Sequence, residues 1–251
     1  MSERKGMALF AALLMIGLTT CANMAKGEIS TAEFKDMLQS RILEVLDEWP
    51  VEDQYAVMFF IYPNEEYEYR GYSNIPEFKM LYKNESEMEH NVNPFFRASG
   101  DDEERWNPAF WSYDRQWPVI EFEEPNPMAD ALIDWYESTG VQDIGGESGD
   151  VFDENMRYIG TGPNGLPELL KLVTEITKEL QTDGVIEAKF GRKLPVILAD
   201  FDCTWYMINA TAEANPNGEA EAYIQACLRH GDISEDQLVR RSFGFCRFRR
   251  K

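Results

Sequence analysis

The chain has 251 residues and a mass of 29.0 kDa, enough to bury a sizeable core in one large domain or two small ones. Apolar residues make up 44% and charged residues 27%, which excludes both a disordered chain and a multi-span membrane protein. Twenty-four Lys and Arg stand against 45 Asp and Glu, a net charge of −21 that repels phosphate backbones. Nucleic acid is therefore not an expected partner, and a basic protein is.

The N-terminus has the composition of a targeting segment. Arg4 and Lys5 precede an apolar run from Met7 to Leu18, followed by small and polar residues. The run falls short of the ~20 residues that cross a bilayer as a helix. An export signal over residues 1–22 is the first reading, with an uncleaved anchor and a buried helix behind it. Leu18-Thr19-Thr20-Cys21 resembles the bacterial lipoprotein box, with Thr20 standing where Gly, Ala or Ser is usual. If Cys21 is the lipidation site, its acyl chains tether the mature protein to a membrane. If it is not, cleavage after Ala22 or Ala25 releases a periplasmic or secreted protein.

Ser30-Thr31-Ala32-Glu33 is a capping box, and Phe34, Met37, Leu38, Ile42, Val45 and Leu46 follow at helical spacing. Tyr55 to Tyr62 is a continuous β-prone run that reads as a buried strand. Pro63-Asn64 marks a turn, and Tyr67, Tyr69 and Gly71 alternate as a second strand of a hairpin would. A short helix is predicted after Pro76 (EFKMLYK), then a long acidic loop from Asn84 to Glu104. Arg105 to Glu124 is rich in aromatic residues. Asn126-Pro127 opens a helix that ends at Gly140, and Asn164 to Leu180 is the clearest helix of the chain. Leu194 to Ala199 reads as a second buried strand, and Glu219 to Arg229 as a late helix. The pattern predicts a single α+β domain over residues 28–239, with a mixed or antiparallel sheet packed by several helices.

No motif names a reaction. Gly160-x-Gly162-x-x-Gly165 has dinucleotide spacing, but no good strand precedes it and Pro163 removes an amide from the cradle, so a turn is expected. Asp200 and Asp202 flank Phe201 after the second strand. Period two puts them on one face, where they would hold a cation or form an acid–base pair, or simply meet solvent. His90 and His230 are the two histidines, too few for a serine- or zinc-hydrolase set. Trp106, Trp111 and Trp117 are expected as core packing, with sugar stacking as the alternative. Cys203, Cys227 and Cys246 remain beyond the signal, and Cys227 with Cys246 is the candidate disulfide, against three buried thiols. No CxxC pair occurs, so no metal is expected.

The last twelve residues, Arg240 to Lys251, hold six basic side chains and no acidic one, leaving a net charge of −27 on residues 1–239. This tail also carries Phe243, Phe245 and Phe248. Folding back on the acidic body, contact with anionic lipid headgroups, and a solvated end all remain open for it.

Two stretches resemble a known bacterial family. Arg105-Trp106-Asn107-Pro108-Ala109-Phe110-Trp111-Ser112-Tyr113 is similar to the "RWSPAEW-Y" block of the family catalogued as domain of unknown function 4303. Lys189 to Pro216, an apolar strand followed by acidic residues and a helix ending in Asn-Pro, resembles its later block. The likeness spans about residues 30–217, with Phe110 in place of the family's acidic residue. It implies an α+β domain with no established catalysis, among accessory and immunity-type proteins found beside bacterial toxins. Arg105, Trp106, Trp111, Tyr113, Asp200, Asp202 and Trp205 are then the candidate ligand or partner surface.

The expectation is a non-enzymatic exported protein, with no cofactor, in the periplasm or anchored as a lipoprotein. It would bind a basic, toxin-like protein partner. The alternative is an envelope enzyme or a glycan- or metal-binding protein using Asp200, Asp202 and the Trp106–Trp117 aromatics.

Overall fold

The computed structural model describes residues 28–86, 103–107, 111, 116–122, 126–147, 151–154, 158–235 and 237–238. The signal segment with Cys21, the tail with Cys246, and Tyr113 lie outside the described residues, so the Cys227–Cys246 pairing does too. Helix α1 (Thr31–Glu48) leads to strands β1 (Gln54–Asn64) and β2 (Ile75–Asn84), a short α2 (Glu103–Trp106) and β3 (Trp117–Ile120). Helices α3 (Pro127–Thr139), α4 (Leu166–Thr182) and α5 (Val185–Phe190) precede β4 (Val196–Ala199), α6 (Trp205–Ala214) and α7 (Glu221–His230). The sheet is mixed, in the order β3-β2-β1-β4: β1 is antiparallel to β2 and parallel to β4. This is a single α+β domain, as the sequence pattern predicts.

Local chemistry sets the helix ends where the sequence signals them. Ser30 Oγ accepts from the Glu33 amide at 3.2 Å while the Glu33 carboxylate accepts from the Ser30 amide at 2.9 Å. Asn126 Oδ1 accepts from the Met128 and Ala129 amides, with Pro127 following and Gly140 closing α3 in the left-handed region. Gly165 precedes α4 at φ +102°, where a Cβ would stand 2.9 Å from the Tyr136 ring, so both backbone and space require glycine. The Gly165 amide donates to Glu168, and its carbonyl accepts from the buried Tyr136 hydroxyl at 2.7 Å. The glycine cluster is therefore a turn into a helix that caps itself.

Two stretches depart from expectation. Residues 77–83, predicted helical, belong to β2, because ten residues pair antiparallel with β1 and tertiary pairing outweighs a weak local preference. Tyr67 to Gly71, predicted as the second strand, is a connection ending in a two-residue turn. Tyr69 and Tyr72 exchange both backbone hydrogen bonds around Arg70 and Gly71, each at positive φ. Arg70 then reaches α3, 2.7 Å from Asp134, and pins the connection there.

Alternation along the strands builds two cores. Val57, Phe59, Ile61, Phe78, Met80, Val196 and Leu198 face α1, α3 and α4, while Ala56, Met58, Phe60, Leu81, Ile197 and Ala199 face Trp106, Trp111, Ile208 and α7. β4 lies at one edge of the sheet, and α6 covers the polar groups that an edge exposes. Asn215 accepts from the Val196 amide at 3.0 Å and donates to its carbonyl at 2.8 Å. Thr211 accepts from the Leu198 amide and donates to the Leu198 carbonyl, at 2.9 and 3.0 Å. These side chains lie one helical turn apart and do the work of a fifth strand. Asn215→Ala would leave the Val196 groups buried and unsatisfied, an expected loss of about 2–4 kcal/mol. Urea unfolding with an unchanged m-value checks it.

Candidate functional site

Among the described residues the second face of the sheet is only partly covered. α7 and the tryptophans pack over Met58 and Leu81, and beyond Phe60 the same face turns polar with Tyr62, Glu77 and Lys79. The β1–β2 register sets Tyr62 opposite Glu77 and Phe60 opposite Lys79. A cleft of about 1140 Å³ opens there, past the carboxyl ends of the parallel pair β1 and β4. The loop entering α6 forms its other wall. Crevices outside the carboxyl ends of parallel strands are where α/β sheets commonly seat ligands.

The floor is a closed polar network. The Tyr62 hydroxyl donates to Glu77 Oε2 at 2.5 Å, Asn64 donates to Glu77 Oε1, and Lys79 Nζ sits 2.9 Å from Glu77 and 2.8 Å from the Tyr62 oxygen. Burial, with Glu77 beside it, pushes the Tyr62 phenol up to about 12. Burial alone would lower Lys79, but its bonds to Tyr62 and Glu77 prevail and hold its ammonium above the ordinary range. On the floor the Tyr62 hydroxyl, the Glu77 carboxyl and the Lys79 ammonium thus satisfy one another.

The wall is built on Asp200. Its Oδ1 accepts from the Asp202 and Thr204 amides at 3.2 and 3.1 Å, and its Oδ2 from the Thr204 and Tyr206 hydroxyls at 2.6 and 3.2 Å. Burial raises its pKa despite those bonds, and raises the phenols of Tyr206 and Tyr158 as well. Asp200 and Asp202 therefore do not act as a matched pair on one face. Asp200 is 5% exposed and folds the loop around itself, whereas Asp202 is exposed on the cleft rim. The reason is that β4 ends at Ala199, so strand alternation stops before either aspartate. Among the described residues no group of three or more His, Cys, Asp or Glu is placed to hold a metal ion.

The tryptophan block divides. Trp106 and Trp111 are buried, edge-on to Tyr55, at 7% and 2% exposure, so neither offers a face to a sugar from the surface. Trp117 is half-buried against Trp49 and Tyr82. Arg105 is spent on structure: it forks onto Glu85 and stacks 3.9 Å above the Tyr55 ring. The expected joint surface is corrected accordingly: Asp200, Asp202 and Trp205 line the cleft, Trp106 lines a smaller chamber beside it, and Arg105 and Trp111 belong to neither.

That chamber, about 280 Å³, shares Phe201, Asp202, Cys203 and Asp232 with the cleft and is backed by Trp106, Tyr223 and Cys227. The Tyr223 hydroxyl meets the Cys227 thiol, whereas among the described residues Trp106 Nε1 is buried without a hydrogen-bond partner. Cys203, on the shared wall, holds a positive φ of 50°.

The lining of the cleft is acidic. Among its described lining residues are eight carboxylates, including Glu65, Glu66, Glu147 and Asp202, and one cation, Lys79. Phe201, packed on Phe60 and Tyr62 yet 55% exposed, and Tyr67, 61% exposed, add aromatic surface. Sequence reasoning missed Tyr62, Glu77, Lys79, Tyr158 and Tyr206. The polar–apolar alternation Glu77-Phe78-Lys79-Met80 was the available signal for two of them.

Folding holds the Asp200 carboxyl above its ordinary 3.8, so its contribution to stability is fully present below that pH and is lost as pH rises through the folded value. Asp200→Asn keeps the shape and removes the titration. The stability difference between wild type and variant is therefore expected to shift against wild type as pH rises from 3.8, read from urea midpoints across pH 4–7.

No protein-family model, curated protein or solved structure matches the chain.

Proposed function

We propose that this is a non-enzymatic binding protein that takes a basic segment of a protein partner into the acidic, aromatic cleft. The observation that carries the reading is the eight-to-one excess of carboxylates over cations in a 1140 Å³ cleft with exposed Phe201 and Tyr67 on it. Arginine suits both features, since it pairs with carboxylates and stacks on aromatic faces. Burial, with Glu77 beside it, keeps the Tyr62 phenol protonated, and the bonds to Tyr62 and Glu77 keep Lys79 protonated, so neither is a ready general base. The −27 body would speed encounter with a basic partner. The resemblance to domain of unknown function 4303 supports the same reading, as an exported immunity-type protein that neutralises a basic toxin.

The second reading, an envelope glycan- or metal-binding protein or enzyme, loses support from the burial of Trp106 and Trp111 and the closed Asp200 network. It keeps Asp202, on the cleft rim. A thermal shift with a metal or glycan that Asp202→Asn abolishes would revive it.

A deca-arginine peptide titrated at 20 mM salt is expected to bind, weakening as salt rises. Glu65→Gln with Glu66→Gln is expected to weaken it about tenfold, because two rim charges are lost. No detectable heat at low salt would end the cleft reading. Among the described residues no helix is long and apolar enough to cross a membrane. The proposed membrane tether is therefore checked at Cys21, where mass spectrometry of the mature N-terminus is expected to find a diacylglycerol adduct.

A further inference from the structure

The described chain ends beside the cleft. Gln237 lines it, the Gln237 carbonyl accepts from Asn209 Nδ2 at 3.0 Å, and Leu238 packs against the second core. The thirteen residues that follow carry six basic side chains, three phenylalanines and no acid. Extended at ~3.3 Å per residue they reach roughly 40 Å, far enough to cross any part of the cleft.

We propose that this basic C-terminal segment, residues 239–251, seats in the acidic cleft of its own chain and competes there with an outside basic partner; this rests on the cleft's taking cationic peptide. Charge, shape and hydrogen bonding favour the same occupant. The six cations answer Glu65, Glu66 and Asp202 on the rim, and the phenylalanines answer exposed Phe201 and Tyr67. The adjoining chamber asks for something more than charge. Trp106, 7% exposed, keeps a buried indole N–H without a partner among the described residues. A bare cation has no acceptor to offer an N–H, whereas a peptide carries a carbonyl at every residue. Lys79, already held by Glu77 and Tyr62, leaves the rim carboxylates for an incoming cation.

Tethering makes even a weak contact effective. A short linker gives an effective concentration on the order of 1 mM, so a segment with an intrinsic affinity of about 0.1 mM occupies the cleft about nine-tenths of the time and weakens an outside ligand about tenfold. The contact is therefore a filter: weak basic ligands are excluded, and a tight, multi-contact partner displaces the segment.

The test compares the full chain with a full-length variant carrying Arg247→Gln, Arg249→Gln, Arg250→Gln and Lys251→Gln, using deca-arginine as the probe in fluorescence anisotropy at 50 mM salt. The variant is expected to bind the probe about tenfold more tightly. Equal affinity for both chains overturns the inference and leaves the cleft reading standing; no binding to either overturns both. If the segment serves anionic lipid instead, the substitutions would change binding to phosphatidylglycerol vesicles and leave probe affinity unchanged, which also overturns it. Carbodiimide cross-linking gives a second readout: a Lys251 link to Glu65 or Glu66 within the monomer is expected, and links formed solely between chains would count against seating in cis.

Discussion

The four-residue strand β4 is the element on which the rest depends, and Thr211 of α6 with Asn215 at its C-cap secures it. Four residues of parallel pairing with β1 make a short ladder, and β4 is an edge strand whose outer amides and carbonyls would otherwise be buried without partners. Thr211 and Asn215 supply those partners, and Gln181 of α4 donates to both Asn215 and the Leu194 carbonyl just before the strand. One polar cluster thus ties α4, β4 and α6 into a unit. It also fixes where the chain must turn after Ala199, and so where Asp200 and the α6 entry loop stand relative to β1.

The cleft follows from that placement. β4 stops at Ala199 opposite Phe60 while β1 runs on to Asn64, and among the described residues helices cover this face only as far as Phe60, beyond which it carries Tyr62, Glu77 and Lys79. Buried charges are tolerated there because each is paired and hydrogen-bonded. Glu77 offsets Lys79, and the four donors on Asp200 do the same work across the cleft. Interior polarity is thereby consumed locally. The rim acids remain, and they give the site its preference for cations and leave a surface that a basic segment can neutralise.

Much of the fold was legible because its signals are local. A Ser-x-x-Glu box, an Asn-Pro start and a left-handed glycine act within one helical turn, so α1 and α3 begin and end where the pattern puts them. β2 was not legible for the opposite reason. Pro76 near its start suits a helix, and only the facing strand β1 makes it extended. The site suffered the same fate: period two joined Asp200 to Asp202 on paper, while the strand stops at Ala199, before either of them. The tryptophan block was legible as core and illegible as location, since whether a tryptophan stacks outward or inward depends on what the sheet places behind it.

Taken alone, the sequence determined the acidic balance, the separate basic tail, the targeting-like N-terminus, the α+β class and most helix limits, because each depends on composition or on neighbours a few residues apart. Only the tertiary structure decided which carboxylates share a cleft. Glu65, Glu77, Glu147 and Asp202 come from four separate segments, and what unites them is the sheet register and the closing of β4's edge by α6. Such long-range pairing leaves no trace in local spacing, which is why the charge was visible before the fold and its use was not.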